Sequence, residues 1–123
     1  MATWNTDQLN RIGATEEVRI AARRADGALR KPVTVWIVRI NNNIYVRSVN
    51  GRNAVWFRGV QARHEGRLQV GGVEKDVNFL EGTDNQDQID AAYHSKYARY
   101  PGIVPNILTP ETRATTLRLV PRD

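Results

Sequence analysis

Val18, Ile20 and Ala22 alternate with Arg19, Ala21 and Arg23, a period of two that predicts a half-buried strand. Asp26-Gly27 then supplies a turn. KPVTVWIVRI is the strongest strand pattern in the chain, β-branched and aromatic throughout, with Pro32 tolerable at its start. Asn41-Asn42-Asn43 turns the chain and IYVRSV returns, so these strands predict an antiparallel meander. A three-residue asparagine loop would set Ile40 opposite Ile44, Val38 opposite Val46 and Trp36 opposite Ser48. Arg39 and Arg47 would then share the other face with Ile37 and Tyr45, and a one-residue slip would exchange the faces. HEGRLQV and VEKDVNFL predict a hairpin through Gly71-Gly72, with Leu68, Val70, Val77, Phe79 and Leu80 as core candidates. TTLRLVP reads as a last strand with Leu117 and Leu119 facing one way.

Helical patterns fill the gaps. NTDQLNRIG predicts a short helix capped by Thr6 or Asn5 and stopped at Gly13, with Leu9 and Ile12 on one face. NAVWFRGVQA, after Asn50-Gly51, predicts a second short helix. NQDQIDAAYHSKYARY predicts a longer one, capped by Asp84 or Asn85, with Asp87 and Asp90 suited to its dipole. Ile89, Ala92, Tyr93, Lys96, Tyr97 and Tyr100 fall along one side of it, and Pro101-Gly102 ends it. LTPETRA predicts one helical turn. Six antiparallel strands with helices between them imply one α+β domain over residues 1–123, a small closed or split barrel with peripheral helices. Closure would also take the apolar edge of KPVTVWIVRI out of solvent.

Composition narrows the chemistry. The 123 residues contain no cysteine, which removes disulfides, thiolate zinc sites and thiol nucleophiles and suits a reducing cytoplasm. MATWNTDQLNRIG has neither the basic start nor the apolar run of a signal peptide. No stretch has the ~18 apolar residues of a membrane span. Net charge is +5, and it is concentrated: residues 30–67 hold eight Lys or Arg against Glu65 alone. Such a segment fits phosphate recognition, because guanidinium forks match phosphate oxygens, or a solvated basic surface of no special purpose.

The densest cluster is IYVRSVNGRNAVWFRG, where Arg47, Arg52 and Arg58 surround one bend beside Ser48, Trp56 and Phe57. A turn before a helix presents unpaired N–H groups to anions. Ser48 can donate a hydrogen bond, Arg47 and Arg52 can fork onto the same oxygens, and Trp56 offers a flat wall for a ring. The competing account is a hairpin-like turn with Trp56 and Phe57 filling core. Tyr93, Lys96 and Tyr97 admit a lowered tyrosine pKa for acid catalysis, against simple packing with Lys96 reaching water. His64 and His94 lack partners at metal-ligand spacing, so no metal site is expected. No catalytic residue is singled out.

WIVRINNNIYVRSVNGRNAVWFRGVQARHEGRLQVGGVEKDVNF resembles the flavin-binding split-barrel superfamily, and within it the deazaflavin-dependent nitroreductases. The matching pieces are Ser48, Arg52, Trp56-Phe57-Arg58, Ala62 to Val70, Ala98-Arg99-Tyr100-Pro101, Thr112-Arg113 and Leu117 to Pro121. WIVRI, IYVRS, AAYHSKY and TTLRLVPR further resemble a family of small uncharacterised bacterial proteins in that superfamily. The resemblance, over residues 4–122, implies a six-stranded split barrel, a homodimer, and FMN or a deazaflavin across the subunit interface. It implies Ser48, Arg52, Asn53, Trp56 and Arg58 as phosphate-side residues, and the charge pattern adds Arg47. Arg52 stands where lysine is usual and Gly59 where asparagine is frequent. The expected function is cofactor binding with hydride-transfer chemistry. A non-enzymatic barrel that binds a small ligand or single-stranded nucleic acid is the alternative, its bases stacking on Trp36, Tyr45, Trp56 and Phe57.

Overall fold

The computed structural model describes residues 3–16, 18–81 and 85–122. Helix α1 (Thr6–Ala14) starts at Asn5, whose side chain accepts from the Gln8 N–H while the Gln8 side chain accepts from the Asn5 N–H. That reciprocal capping fixes its start. The helix runs one residue past Gly13, where a Cβ would press within 3.3 Å of the Arg39 stem. Strands β1 (Val18–Ala22), β2 (Val33–Val35), β3 (Ile37–Ile40) and β4 (Asn43–Val46) follow. A 3-10 turn (Gly51–Asn53) leads into α2 (Val55–Arg63). Strands β5 (Glu65–Val70) and β6 (Val73–Glu81) form the expected hairpin, with Gly71 and Gly72 at positive φ. Helix α3 (Gln86–Lys96), a second 3-10 turn (Val104–Ile107), α4 (Pro110–Arg113) and β7 (Leu117–Pro121) complete the chain. Asp84, one of two expected caps for α3, lies outside the described residues, and Asn85 occupies the cap position.

All pairings are antiparallel, in the order β2-β1-β5-β6-β7-β4-β3. The two edge strands, β2 and β3, are consecutive in sequence and separated by Trp36 alone. The barrel is therefore nearly closed by one bent segment that pairs with β1 on one side and β4 on the other. The described residues contain seven strands rather than six, because KPVTVWIVRI breaks at Trp36.

The asparagine turn also differs from expectation. Ile40 faces Asn43, Arg39 faces Ile44, Val38 faces Tyr45 and Ile37 faces Val46, so the loop is Asn41-Asn42, one residue shorter. Asn41 takes φ 53°, left-handed backbone that asparagine tolerates. This slip places Arg39 and Arg47 on opposite faces. Ile37, Ile44 and Val46 point into the barrel, where Phe57 and Val60 of α2 and Leu9 and Ile12 of α1 close its interior. Val38 and Tyr45 point outward against Ile89 and Tyr93 of α3 and Tyr97 just past its end. Both faces of β3 and β4 are buried. Leu80, expected in the core, is 41% exposed, since Phe79 takes the inward position on β6.

Candidate functional site

The break at Trp36 has a local cause. Continuing the β3–β4 register would pair Trp36 with Arg47. Instead the Tyr93 hydroxyl stands between them, accepting from the Arg47 N–H at 3.0 Å and donating to the Trp36 carbonyl at 2.8 Å. One residue on, the Tyr97 hydroxyl exchanges hydrogen bonds with the Ile37 N–H and carbonyl, each at 3.0 Å. The Trp36 ring stacks on Tyr97 at 4.1 Å between centroids. Two tyrosines one helical turn apart thus pry the ladder open and satisfy the groups they separate. Burial raises the pKa of both phenols well above the ordinary value, making them weaker acids and so ill suited to acid catalysis.

Past this opening lies a cleft of about 510 Å³. Val33 to Trp36 form one wall, Val49, Asn50 and Ala54 to Trp56 the other, and Ile103 and Ile107 flank it. Trp56 rests edge-on against Phe57, which anchors the indole to the core. Val49, Val55 and Ile103 are 47%, 70% and 48% exposed, an apolar rim unusual for solvated surface. The N-terminal turn of α2 opens here through Ala54, Val55 and Trp56, and the first N–H groups of a helix have no partner within it.

The residues singled out from the sequence take different places. Arg47 is fully buried beneath α3 although it touches the cleft. Its Nε donates to Thr116 Oγ1 at 3.0 Å, and Nη1 to Asp90 Oδ1 at 2.6 Å and the Ile107 carbonyl at 3.0 Å. Nη2 donates to the Gln86 carbonyl and side-chain oxygen. A buried guanidinium needs this full set of acceptors. Ser48 is also buried; its hydroxyl donates to the Gly51 carbonyl at 2.7 Å and its N–H to Thr115 Oγ1 at 2.9 Å, locking the bend. Trp56 lines the cleft. Arg52, Asn53 and Arg58 are exposed around the α2 start, Arg52 reaching the Ala114 carbonyl at 3.4 Å.

The central basic segment does not form one face. Arg67 pairs with Asp76 at 2.9 Å, holding that carboxyl below its usual range, and Arg63 pairs with Glu65 at 3.2 Å. Lys96 turns inward rather than to water: its ammonium donates to the Ile37 and Ile12 carbonyls at 2.7 and 3.1 Å. Burial lowers it to about 8. His64, at the left-handed end of α2, meets Glu81 at 2.9 Å and draws that carboxyl down. Among the described residues no group of three or more potential ligands could hold a metal, and no helix is long and apolar enough to cross a membrane. Sequence reasoning missed the exposed rim. Val55 gave the available signal, an apolar residue at the start of a helix whose core face is set by Phe57 and Val60.

An antiparallel barrel bridged by one broken strand, with an apolar cleft beside the break, defines a split barrel. The chain belongs to the family described as "Uncharacterized protein conserved in bacteria (DUF2255)", whose model matches residues 8–119. No curated protein matches it in sequence. Among solved structures it resembles an F420 reductase at 18% identity and TM-score 0.54, over 92% of this chain and 90% of that one. A FAD-binding protein from Mesorhizobium loti is similar at 16% identity and TM-score 0.57, over 98% and 92%. The heme storage protein HutZ from Vibrio cholerae is similar at 10% identity and TM-score 0.65, over 100% and 92%. These likenesses establish the fold, as the resemblance read from the sequence implied.

Proposed function

We propose that this chain binds a phosphorylated flavin-type cofactor, FMN or a deazaflavin, in the cleft at the barrel split. The observation that carries this reading is the apolar cleft itself: about 510 Å³, walled by Trp36 and Trp56 and rimmed by exposed Val49, Val55 and Ile103. That volume lies within the range of small-molecule sites, and flat aromatic walls suit a fused ring. The anionic tail would sit where the first N–H groups of α2 meet Arg52, Asn53 and Arg58, a dipole end and two exposed cations. Arg47 and Ser48 would act indirectly, Arg47 by pinning β4 under α3 and Ser48 by holding the bend. A second copy of the chain would cover the apolar rim, giving a homodimer with the cofactor between subunits.

Among the similar solved structures are an F420 reductase, a FAD-binding protein and a heme storage protein. Flavin-type ligands suit these residues better than heme, since the cleft lining includes no histidine, cysteine or methionine to serve as an axial ligand. When bound, such a cofactor supplies hydride transfer, and the chain's own part is to position the ring, exclude water and neutralise the tail.

Native mass spectrometry of protein purified without added ligand tests the reading, followed by equilibrium dialysis against FMN and a deazaflavin. A stoichiometric complex with either is expected. Binding of neither at micromolar concentration would refute it.

A further inference from the structure

We propose that a second cleft, between α1, β3 and α3, binds a small phosphorylated ligand through Lys96 and Arg39. This site goes beyond the cofactor reading and shares no lining residue with the first cleft. It measures about 450 Å³ and is lined by Asn10, Gly13, Ala14, Val38, Arg39, Ala92, Ser95 and Lys96. Two cations, one hydroxyl and one amide line it, and among the described residues no carboxylate does. Lys96 has no ion pair among the described residues, and Glu16, whose charge acts on it, is already bonded to Arg99 at 2.6 Å and the Tyr100 hydroxyl at 3.0 Å.

The donors are half-used. Two of the three N–H groups of Lys96 go to the Ile12 and Ile37 carbonyls. Arg39 spends Nε on the Asn41 carbonyl and Nη1 on Asn10 Oδ1, each at 2.7 Å, while no described residue accepts from Nη2. These bonds hold both side chains at the cleft before any ligand arrives, which reduces the entropy lost on binding. Burial without a counter-ion is costly to an ammonium, and an arriving anion would relieve that cost. Phosphate suits the pair best, because a dianion matches two cations and its oxygens accept from both a fork and a point charge. Gly13, Ala14, Val38 and Ala92 leave an apolar wall for a short organic tail.

Inorganic phosphate is the probe. The chain has three lysines, Lys31, Lys75 and Lys96, so competitive acetylation read by mass spectrometry resolves each amine. Saturating phosphate is expected to slow acetylation at Lys96 about tenfold and to leave Lys31 and Lys75 unchanged. Calorimetry should show one saturable site, weakened about tenfold by Arg39→Gln. Gly13→Ala keeps both charges but places a Cβ 3.3 Å from Arg39 Cδ, so it should weaken binding in the same direction with the helix intact. The proposal is overturned by an absence of saturable binding, by equal protection of all three lysines, or by wild-type affinity in both variants.

Discussion

Replacing Arg47 by methionine separates a structural arginine from a ligand-binding one. Methionine keeps much of the stem and deletes a guanidinium that is fully buried and bonded to Thr116, Asp90, Ile107 and Gln86. Breaking a buried pair costs about 3–5 kcal/mol, because the surviving partners lose their counterpart in a low-dielectric site. Asp90 retains some solvent and lies 3.5 Å from the Arg113 Nε, so the lower end, about 3 kcal/mol, is expected. For a domain of this size that corresponds to a fall in Tm of roughly 10–15 °C. Arg52→Ala removes an exposed side chain with one long hydrogen bond and should change stability by less than about 0.5 kcal/mol. Urea unfolding of both variants beside wild type is the assay. An Arg47→Met protein within about 1 kcal/mol of wild type would refute the assignment of this side chain to the fold.

Other outcomes follow from the same geometry. Tyr93→Phe removes the hydroxyl between the Trp36 carbonyl and the Arg47 N–H, and should cost about 1–3 kcal/mol by chemical denaturation, less if the strands close directly. Gly66→Ala places a Cβ 2.5 Å from the Ala21 carbonyl oxygen, which is strand backbone, and should destabilise by at least about 2 kcal/mol in a thermal melt. Lys96 sits near 8 in the folded protein against 10.5 when solvated, so between those values the unfolded chain binds more protons. Its contribution to stability is therefore full above pH 10.5 and lost as pH falls through 8. Wild type should gain on Lys96→Met as pH rises through that window, measured by paired urea titrations; a constant difference would contradict the lowered value.

The sequence was most legible where one face of an element is wet. Alternation in β5 and the apolar stripe of α3 identified elements, faces and the β5–β6 hairpin, since solvent imposes a contrast that periodicity can carry; in β1 alternation found the strand but not its outer face, where Ala21 is buried. It was least legible in β3 and β4. There Ile37 and Val38, and Ile44, Tyr45 and Val46, are all buried, because the barrel lies on one side and α3 on the other. A strand apolar on both faces carries no register, so two- and three-residue asparagine loops fit it equally. The break at Trp36 was hidden for a related reason: the hydroxyl that replaces a ladder bond comes from Tyr93, on another element. The arginine cluster around residues 47–58 was visible as composition, but the acceptors that claim Arg47 arrive from α3, the second 3-10 turn and Thr116 ahead of β7 only in three dimensions.

The central claim, that the cleft at the split holds the ring of a phosphorylated flavin-type cofactor, is tested most directly by fluorescence titration with FMN and a deazaflavin. Wild type is compared with Trp56→Ala, which removes the indole wall, and Val55→Asp, which places a carboxylate on an exposed rim position with little effect on the fold. Saturable binding to wild type, weakened about tenfold or more in both variants at nearly unchanged Tm for Val55→Asp, is the predicted result. Saturable binding that Val55→Asp and Trp56→Ala leave untouched, or no binding to wild type, would contradict it.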